Sequence, residues 1–223
     1  MKNVVDTLTF EKQKQFREDG FLMLKRILPL SDLQPMISEL SDQVEEGFQS
    51  AILAGLLSVD QTFSDASFAT RLAHVYQACS DPSWILNNHF RYQKPRSAGM
   101  FSVRTACPLL DMIESIIGPE IFAHPQFNFR AKLPKQQVTV IPWHQNLAYL
   151  VPEDADDTLV VNAWIPLVPT DIENGCLQLI KGAHQFGLLP HEKQDLTPSH
   201  TGNVGITEGH LPTSKIVTAE MSF

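Results

Sequence analysis

The spacing of hydrophobic residues changes at Gly118-Pro119, and this change constrains the fold more than any other feature of the sequence. Before it, apolar side chains recur every three or four residues, which is the spacing of an amphipathic helix. The clearest series is Leu33, Met36, Ile37, Leu40, Val44 and Phe48. After it, segments alternate apolar with polar residues or are rich in β-branched residues, as strands are. The sequence therefore predicts one α+β domain, with 1–118 mainly helical and 119–223 forming a mostly antiparallel β part.

The predicted helices have recognisable ends. Thr9 caps a short helix that closes at Asp19-Gly20, and Ser31-Asp32 caps a longer one with Pro35 in its first turn. Further helices are predicted over 69–79 and 102–117, and a short strand over 21–24. Because Gly118 is followed by proline, we expect the last helix to stop there.

The second part contains the predicted strands. They cover 126–133, 138–141, 158–167, 176–180 and a final one that starts at 216. The segment 158–167 is β-branched and mostly apolar, which predicts a buried strand. A turn at Glu173-Asn174-Gly175 precedes the strand 176–180, and 185–213 is predicted to be one long loop because of its many turn-forming residues.

Charge and cysteine content exclude several classes of protein. The 25 acidic and 17 basic residues give a net charge of −8, which argues against general binding to nucleic acid or to an anionic membrane. No apolar run is long enough to span a bilayer, and the N-terminus lacks the apolar stretch of a signal peptide. The cysteines Cys79, Cys107 and Cys176 are far apart and form no CxxC pair, which favours a reducing compartment, and we expect a cytoplasmic protein.

Among the eight histidines, His144 has the most distinctive surroundings. It lies in an aromatic-flanked segment, Pro142-Trp143-His144-Gln145, directly after a predicted strand. The other histidines are expected to be packed or solvated, and those of the long loop, including His191, to be solvated. Tyr149 is expected either to line the mouth of a site or to pack.

Four segments in order resemble the phytanoyl-CoA dioxygenase family of Fe(II)/2-oxoglutarate-dependent oxygenases. They are Phe16-Arg17-Glu18-Asp19-Gly20-Phe21-Leu22, Pro142-Trp143-His144-Gln145, Asn162-Ala163-Trp164-Ile165-Pro166-Leu167, and Glu173-Asn174-Gly175-Cys176-Leu177 leading to Gly182-Ala183-His184. The resemblance implies a double-stranded β-helix core of the jelly-roll or cupin-like type with N-terminal helices packed outside. It also implies Fe(II) and 2-oxoglutarate as cofactors and hydroxylation of a small organic or lipid-like substrate.

The resemblance assigns site residues one at a time. His144 matches the first histidine of the family's H-x-D metal-binding segment, and Asn146 occupies the place of its aspartate. An amide oxygen brings no charge, so Asn146 should hold Fe(II) more weakly than aspartate, which makes cofactor binding by this chain doubtful. Lys132 and Trp164 match positions that contact the cosubstrate. The alternatives are a solvated position for Lys132 and core packing for Trp164.

The late parts of the family pattern are not found. The family's second histidine and its 2-oxoglutarate arginine follow late strands, but no arginine occurs after Arg130. His184 is a candidate second ligand, although the matching family histidine belongs to a turn. Four or five of the family's eight core strands are identified, so the core is expected to lack its last strands. The chain as given is therefore expected to be inactive.

Three interpretations remain open. The first is a hydroxylase that is complete only in a longer form. The second is a truncated, non-catalytic pseudoenzyme, and the third is a binding or interaction module that self-associates through an open sheet edge. Arg91, Lys94, Arg96 and Arg130 are candidates for attracting an anionic substrate, or are ordinary surface charges.

Overall fold

The computed structural model describes residues 8–61, 63–85, 97–124, 129–133, 140–150, 159–193 and 204–221. In these ranges the α-helices are α1 (Phe10–Asp19), α2 (Leu30–Leu53), α3 (Phe68–Ala78), α4 (Pro82–Ile85), α5 (Ala98–Arg104) and α6 (Cys107–Ile117). The strands are β1 (Gln178–Ile180), β2 (His191–Lys193), β3 (Val204–Ile206) and β4 (Ile216–Thr218). Two 3₁₀ turns cover Asn146–Tyr149 and Ala183–Phe186. The described chain is thus a helical N-terminal region followed by short antiparallel strands.

Helix α1 has the ends that its sequence predicts. The Thr9 hydroxyl accepts a hydrogen bond from the Lys12 amide at 3.3 Å, as an N-cap does. At the other end Gly20 adopts the left-handed conformation, with φ of 81°, and its amide donates to the Phe16 carbonyl at 2.8 Å. Both predicted boundaries are confirmed.

Helix α2 begins one residue before the predicted cap. Pro29 precedes the first turn in an extended conformation, and its carbonyl accepts a bond from the Asp32 amide. The predicted cap at Ser31-Asp32 is wrong, because both residues lie inside the helix and the Ser31 hydroxyl bonds to the Asp32 carboxylate instead. The predicted apolar face is confirmed. Its buried residues are Leu33, Met36, Leu40, Val44, Gly47, Phe48 and Ala51.

The predicted helix over 102–117 is two helices. Helix α5 ends at Arg104 and α6 starts at Cys107, with Pro108 in the first turn of α6. A proline ring clashes with the preceding turn of a continuing helix and has no amide to donate, so a break is expected here. The predicted stop at Gly118 is confirmed, with φ of 91°.

Two apolar clusters hold the helical region, and α2 contributes to both. The first cluster joins the end of α2 to α3 and α4. Its buried residues are Phe48, Ala51, Leu57, Val75, Cys79 and Ile85. The second joins the start of α2 to α5. Its buried residues are Leu33, Met36, Leu40 and Val103, and Phe129, Ile165 and Leu167 pack against it. Segments of the second half of the chain therefore lie directly on the helices.

The strands form two separate antiparallel pairs. In the first, Leu179 of β1 lies opposite Val217 of β4, and in the second, Glu192 of β2 lies opposite Gly205 of β3. The turn before β1 is confirmed, because the Asp171 and Asn174 side chains bond to each other's amides and Gly175 has φ of 87°.

Several strand predictions are wrong. Residues 21–24, 129–133, 140–141 and 159–167 are not strands, and Leu159 in the last of these is 60% exposed rather than buried. β-Branched composition favours a strand only where a neighbouring strand pairs with it. The predicted loop over 185–213 is also wrong, because it contains β2 and β3. The rest of the predicted strands at 126–128, 138–139 and 158 lies outside the described residues.

The three cysteines of the chain all lie in the described ranges. Cys79 and Cys176 are buried, Cys107 is exposed, and all three are free thiols. Burial raises the pKa of both the Cys79 and Cys176 thiols, so these groups stay protonated.

In the ranges that the structure describes, no helix combines the length and the apolar character needed to cross a membrane.

Candidate functional site

His144 presents one free ring nitrogen. Its Nδ1 lies 2.8 Å from the Pro142 carbonyl oxygen, and since a carbonyl only accepts, Nδ1 carries the proton. The Tyr149 ring stands edge-on to the imidazole, with ring centres 5.6 Å apart and planes at 87°. The lone pair of Nε2 is therefore the one available to a ligand. A backbone carbonyl on the other nitrogen is the arrangement by which proteins orient metal-binding histidines.

The Gln145 side chain joins the His144 segment to a second part of the chain. Its amide nitrogen donates to the Gly187 carbonyl at 2.8 Å, and its oxygen accepts from the Leu189 amide at 2.7 Å. Both halves of the carboxamide are thus used, and both partners belong to the stretch before β2. This fixes Gln145, and the backbone of His144 next to it, against residues 187–189.

His191 makes a further link to the same segment. Its Nδ1 donates to the Leu189 carbonyl at 2.7 Å, so its Nε2 is unprotonated and accepts the main-chain amide of Gln145 at 3.0 Å. The prediction that His191 is solvated is wrong, because it is partly buried and both ring nitrogens are bonded. The sequence gives no signal of this contact, since the two residues are 46 positions apart.

Strand β3 also forms hydrogen bonds with the His144 segment. The Ile206 amide donates to the Trp143 carbonyl at 2.8 Å, and the Val204 amide donates to the Tyr149 hydroxyl at 3.3 Å. Tyr149 is thus held at both its ring and its hydroxyl, which favours a structural role beside His144. The segment 142–150 is bonded on one side to 187–191 and on the other to 204–206.

Asn146 is the first residue of the 3₁₀ turn, and its side chain is exposed. The residues present fit an Fe(II) site only in part. His144 has the bonding of a ligand histidine and Asn146 offers a neutral oxygen, but a facial triad needs two histidines and a carboxylate. Across the described ranges, from residue 8 to residue 221 with their gaps, no group of three or more His, Cys, Asp or Glu side chains is placed to hold a metal.

Lys132 lies over the turn that precedes β1. A methyl group added at Gly175 would be 3.5 Å from the Lys132 side-chain carbons, so the lysine stem covers this glycine. Although the Lys132 residue as a whole is exposed, partial desolvation of its ammonium is the first reason why its pKa is lowered from its ordinary 10.5, and the nearby positive charge of Arg130 is the second. An anion bound to the Lys132 ammonium would offset both its desolvation and its repulsion by Arg130.

Trp164 is exposed, although it lies next to a residue that packs on the helices. Its neighbour Ile165 packs against the second apolar cluster, whereas Trp164 is 39% exposed. The same alternation occurs earlier, where Phe129 packs on that cluster and Arg130 and Lys132 are exposed. Lys132 and Trp164 are both exposed, in segments from which Phe129 and Ile165 pack on the second apolar cluster. The His144 segment, by contrast, is hydrogen-bonded to residues 187–191 and 204–206. The residues Arg91, Lys94 and Arg96, which are candidates for attracting an anionic substrate, lie outside the described ranges.

His184 belongs to a turn, as the resemblance implied, and this turn caps α1. A helix leaves its last four carbonyl groups without partners inside the helix. Here all four are bonded. The Phe16 carbonyl accepts from the Gly20 amide, that of Arg17 from His184 Nε2, that of Glu18 from the Gln185 side chain, and that of Asp19 from the Gly182 amide. His184 thus has a structural use, and its Nε2 is not free for a metal.

Asp19 and Lys181 add an ion pair to this cap. Their side chains are 2.9 Å apart, and Asp19 is only 8% exposed. The hydrogen bond from Lys181 is the main reason why the pKa of Asp19 is lowered from its ordinary 3.8. The sequence shows both the Asp19-Gly20 and the Gly182-Ala183-His184 segments, but only the fold brings them into contact.

The lowered pKa of Asp19 predicts a pH-dependent contribution to stability. The contribution is present above the ordinary value of 3.8 and is lost as the pH falls through the lower folded-state value. We expect Asp19→Asn to lower the thermal midpoint at pH 7, and the difference from wild type to shrink towards pH 2.5. Circular dichroism melts across this range measure it. Glu18→Gln is the control, because the Glu18 side chain pairs with Lys14 at the exposed surface. An equal difference at pH 7 and pH 2.5 would show that the charge of Asp19 is not responsible.

Known proteins match most of this chain. The human peroxisomal phytanoyl-CoA dioxygenase is 26% identical over 188 residues, which cover 84% of this chain and 51% of the relative. The bovine peroxisomal phytanoyl-CoA dioxygenase is 24% identical over 202 residues (90% and 54%), and a probable phytanoyl-CoA dioxygenase of Caenorhabditis elegans is 22% identical over 210 residues (86% and 59%). The chain spans about half the length of the curated relatives it matches. No solved structure matches significantly.

The family model provides the widest match. The model described as Phytanoyl-CoA dioxygenase (PhyH) aligns with residues 16–222, which begin in α1 and include the His144 segment, the turn before β1 and the cap formed by 182–185. Because this range covers nearly the whole sequence, the chain belongs to the phytanoyl-CoA dioxygenase family.

Proposed function

We propose that this chain is part of a non-haem Fe(II)/2-oxoglutarate-dependent oxygenase that hydroxylates a small organic or lipid-like substrate. In this proposal the β part of the chain belongs to a double-stranded β-helix, and the two short strand pairs are fragments of that core. Bound iron and 2-oxoglutarate supply the oxidising chemistry in such enzymes, while the protein binds and orients the reactants. The chain's own residues have the binding and orienting roles described next.

The observation that carries this proposal is the free nitrogen of His144 inside a family match over 16–222. The Pro142 carbonyl bonds to Nδ1, which leaves the lone pair of Nε2 for a ligand, and the segment is bonded on both sides. Asn146 follows two residues later and offers a neutral oxygen donor. In this proposal His144 binds the metal and the side-chain oxygen of Asn146 is a second, neutral ligand.

Lys132 is proposed to bind a carboxylate of 2-oxoglutarate. Its ammonium is partly desolvated and is repelled by Arg130, so a bound dianion would stabilise both positive charges. Trp164 is proposed to offer an apolar surface to the cosubstrate, because it is exposed while its neighbour Ile165 packs on the helices. These two roles complete the proposed contacts with the cosubstrate.

The test is succinate formation. The purified chain is incubated with Fe(II), ascorbate and 2-oxoglutarate, with phytanoyl-CoA and a panel of other lipid-like acyl compounds as substrates. Succinate that depends on iron and is lost in His144→Ala supports the proposal. The absence of metal-dependent succinate with every compound, from the chain and from a form extended to the length of its relatives, would contradict it.

Asn146→Asp is expected to strengthen metal binding. A carboxylate adds a negative charge beside His144, and charged ligands hold divalent ions more strongly than amides, so we expect affinity to rise by about tenfold, or ~1.4 kcal/mol. Titration with Mn(II), followed by electron paramagnetic resonance, measures it. Asn146→Ser, which introduces no charge, is the control. Equal affinity in all three proteins would show that the ion does not approach position 146.

A non-catalytic protein is the second candidate. The observation that favours it is Asn146 itself, which replaces the carboxylate of the family's H-x-D segment, together with the incomplete ligand set of the described residues. This candidate predicts that the chain binds neither Fe(II) nor 2-oxoglutarate at micromolar concentrations. Anaerobic isothermal titration calorimetry tests it, and micromolar binding of both would eliminate it.

Self-association is the third candidate. In the part of the chain that the structure describes, β1 pairs only with β4, and Ile216 on β4 is 51% exposed. Open strand edges bind other strands, and a second copy of this chain carries the same edge. Light scattering of the purified chain tests it. A dimer that Ile216→Lys dissociates supports this candidate, and a strictly monomeric chain contradicts it.

We also propose a cytoplasmic location. The support is the three free thiols, two of them buried with raised pKa values, which suit a reducing compartment. The four mammalian relatives are described by name as peroxisomal, so peroxisomal recovery of this protein in cell fractionation is the result that would contradict a cytoplasmic location.

A further inference from the structure

We infer that Gln145 and His191 are positioning residues that hold His144 in a single orientation for its ligand. Neither residue touches the ligand directly in this inference, and both act through the backbone of the His144 segment. The inference rests on the proposed role of His144 as a metal ligand. The experiments below separate the two, because one of them needs no metal.

The first support is the complete use of the Gln145 carboxamide. It donates to the Gly187 carbonyl and accepts from the Leu189 amide, at 2.8 and 2.7 Å. A surface glutamine loses about 2 kcal/mol of side-chain entropy when it is fixed, so two short bonds to backbone groups are needed to hold it. The carboxamide therefore acts as a bridge between two backbone segments that are 42 to 44 residues apart.

The second support is the state of the His191 ring. Its two hydrogen bonds require the tautomer with the proton on Nδ1, and the unprotonated Nε2 accepts the Gln145 amide at 3.0 Å. That amide belongs to the peptide bond that follows His144. His191 therefore fixes the peptide plane next to the proposed ligand, while the Pro142 carbonyl fixes the ring itself.

Together these contacts act on His144 from two sides. The Pro142 carbonyl sets which nitrogen is free, and Gln145 with His191 sets where the backbone of that residue lies. Groups that orient a ligand histidine typically change metal affinity by about 10- to 100-fold when they are removed. The same range is expected here for the loss of the Gln145 bonds.

The first experiment measures the imidazole rings without metal. Two-bond ¹H–¹⁵N spectra of the histidine-labelled chain at a fixed neutral pH report the tautomer of each ring, with His144→Ala and His191→Phe assigning the signals. The wild type is expected to show the Nδ1-protonated tautomer for both rings. In Gln145→Met, which keeps the length and removes both side-chain bonds, the His144 signal is expected to shift or broaden. Unchanged His144 and His191 signals would overturn the inference.

The second experiment measures affinity for Co(II) alone, from its visible absorption. We expect Gln145→Met and His191→Phe to bind about 10- to 100-fold more weakly than wild type. Gln185→Met is the matched control, since Gln185 also bonds a backbone carbonyl, that of Glu18, but at the α1 cap. Wild-type affinity in Gln145→Met would overturn the inference.

The two experiments distinguish an error in the proposed role of His144 from an error in the positioning roles of Gln145 and His191. If His144→Ala binds Co(II) as well as wild type does, the proposed role of His144 is wrong, and the ring spectra still decide whether Gln145 and His191 hold its segment. If His144→Ala loses Co(II) and Gln145→Met does not, the proposed ligand stands and the positioning role is wrong.

Discussion

Gly20→Ala is expected to destabilise the protein by about 2–5 kcal/mol, the sum of about 1–2 kcal/mol for a left-handed alanine and about 1–3 kcal/mol for overpacking. The left-handed term arises because φ is 81° at this position. The overpacking term arises because a methyl group at Gly20 would lie 2.3 Å from His184 Nδ1, well inside van der Waals contact.

The clash at Gly20 is expensive because His184 is not free to move. Its Nε2 is bonded to the Arg17 carbonyl at 2.9 Å, and the neighbouring turn is bonded to the Glu18 and Asp19 carbonyls. Moving the ring would break this cap of α1. Since one kcal/mol corresponds to about 2–4 °C for a protein of this size, differential scanning calorimetry should record a clear drop in the melting temperature.

Gly55→Ala is the matched control for this prediction. Gly55 has a similar φ of 71°, but no atom lies within 4 Å of an added methyl group, so only the backbone term remains. The double variant Gly20→Ala/His184→Ala should recover the overpacking term, which gives a less than additive cycle. An equal loss in Gly20→Ala and Gly55→Ala would show that the contact with His184 carries no energy.

Phe48→Ala is expected to cost about 3–5 kcal/mol, the usual range for removing a buried aromatic ring. Phe48 is 1% exposed and belongs to the cluster in which α2 packs against α3 and α4. Its neighbours on α3 and α4, Val75 and Ile85, are equally buried and lie on separate elements. The cavity can therefore close only if whole helices move, which favours the upper part of the range.

Urea unfolding measures this second prediction, with Phe101→Ala as the control. Phe101 lies on α5 and is 69% exposed, so its removal should change the free energy of unfolding by no more than about 0.5 kcal/mol. A loss for Phe48→Ala as small as that for Phe101→Ala would mean that the α2–α3–α4 cluster does not contribute to stability as described.

The candidate site was only partly predictable. His144 and Asn146 are identifiable in the sequence because they lie two residues apart and match a short family pattern. Gln145 was within the same segment, yet its bonding to Gly187 and Leu189 has no sequence signature. His191 was predicted to be solvated, because a histidine in a region rich in turn-forming residues has no local pattern that marks a distant partner.

The errors in the fold have the same origin. The segment 159–167 has the composition of a strand, but strands form only by pairing, and pairing partners are set by the path of the whole chain. Conversely β2 and β3 lie in a region whose composition predicts loop. The single helix predicted over 102–117 is a different kind of error, since Pro108 marks the break between α5 and α6 in the sequence itself.

By itself the sequence determined what depends on neighbours within about four residues. Helices α1, α2 and α3, the Thr9 cap, the left-handed Gly20, the turn at Gly175 and the single distinctive histidine all follow from local spacing and local hydrogen bonds. The tertiary structure alone decided which distant segments meet. It placed His184 on the end of α1, 167 residues away from Arg17, and His191 on the segment of His144, because such contacts depend on how the chain folds back and not on any local pattern.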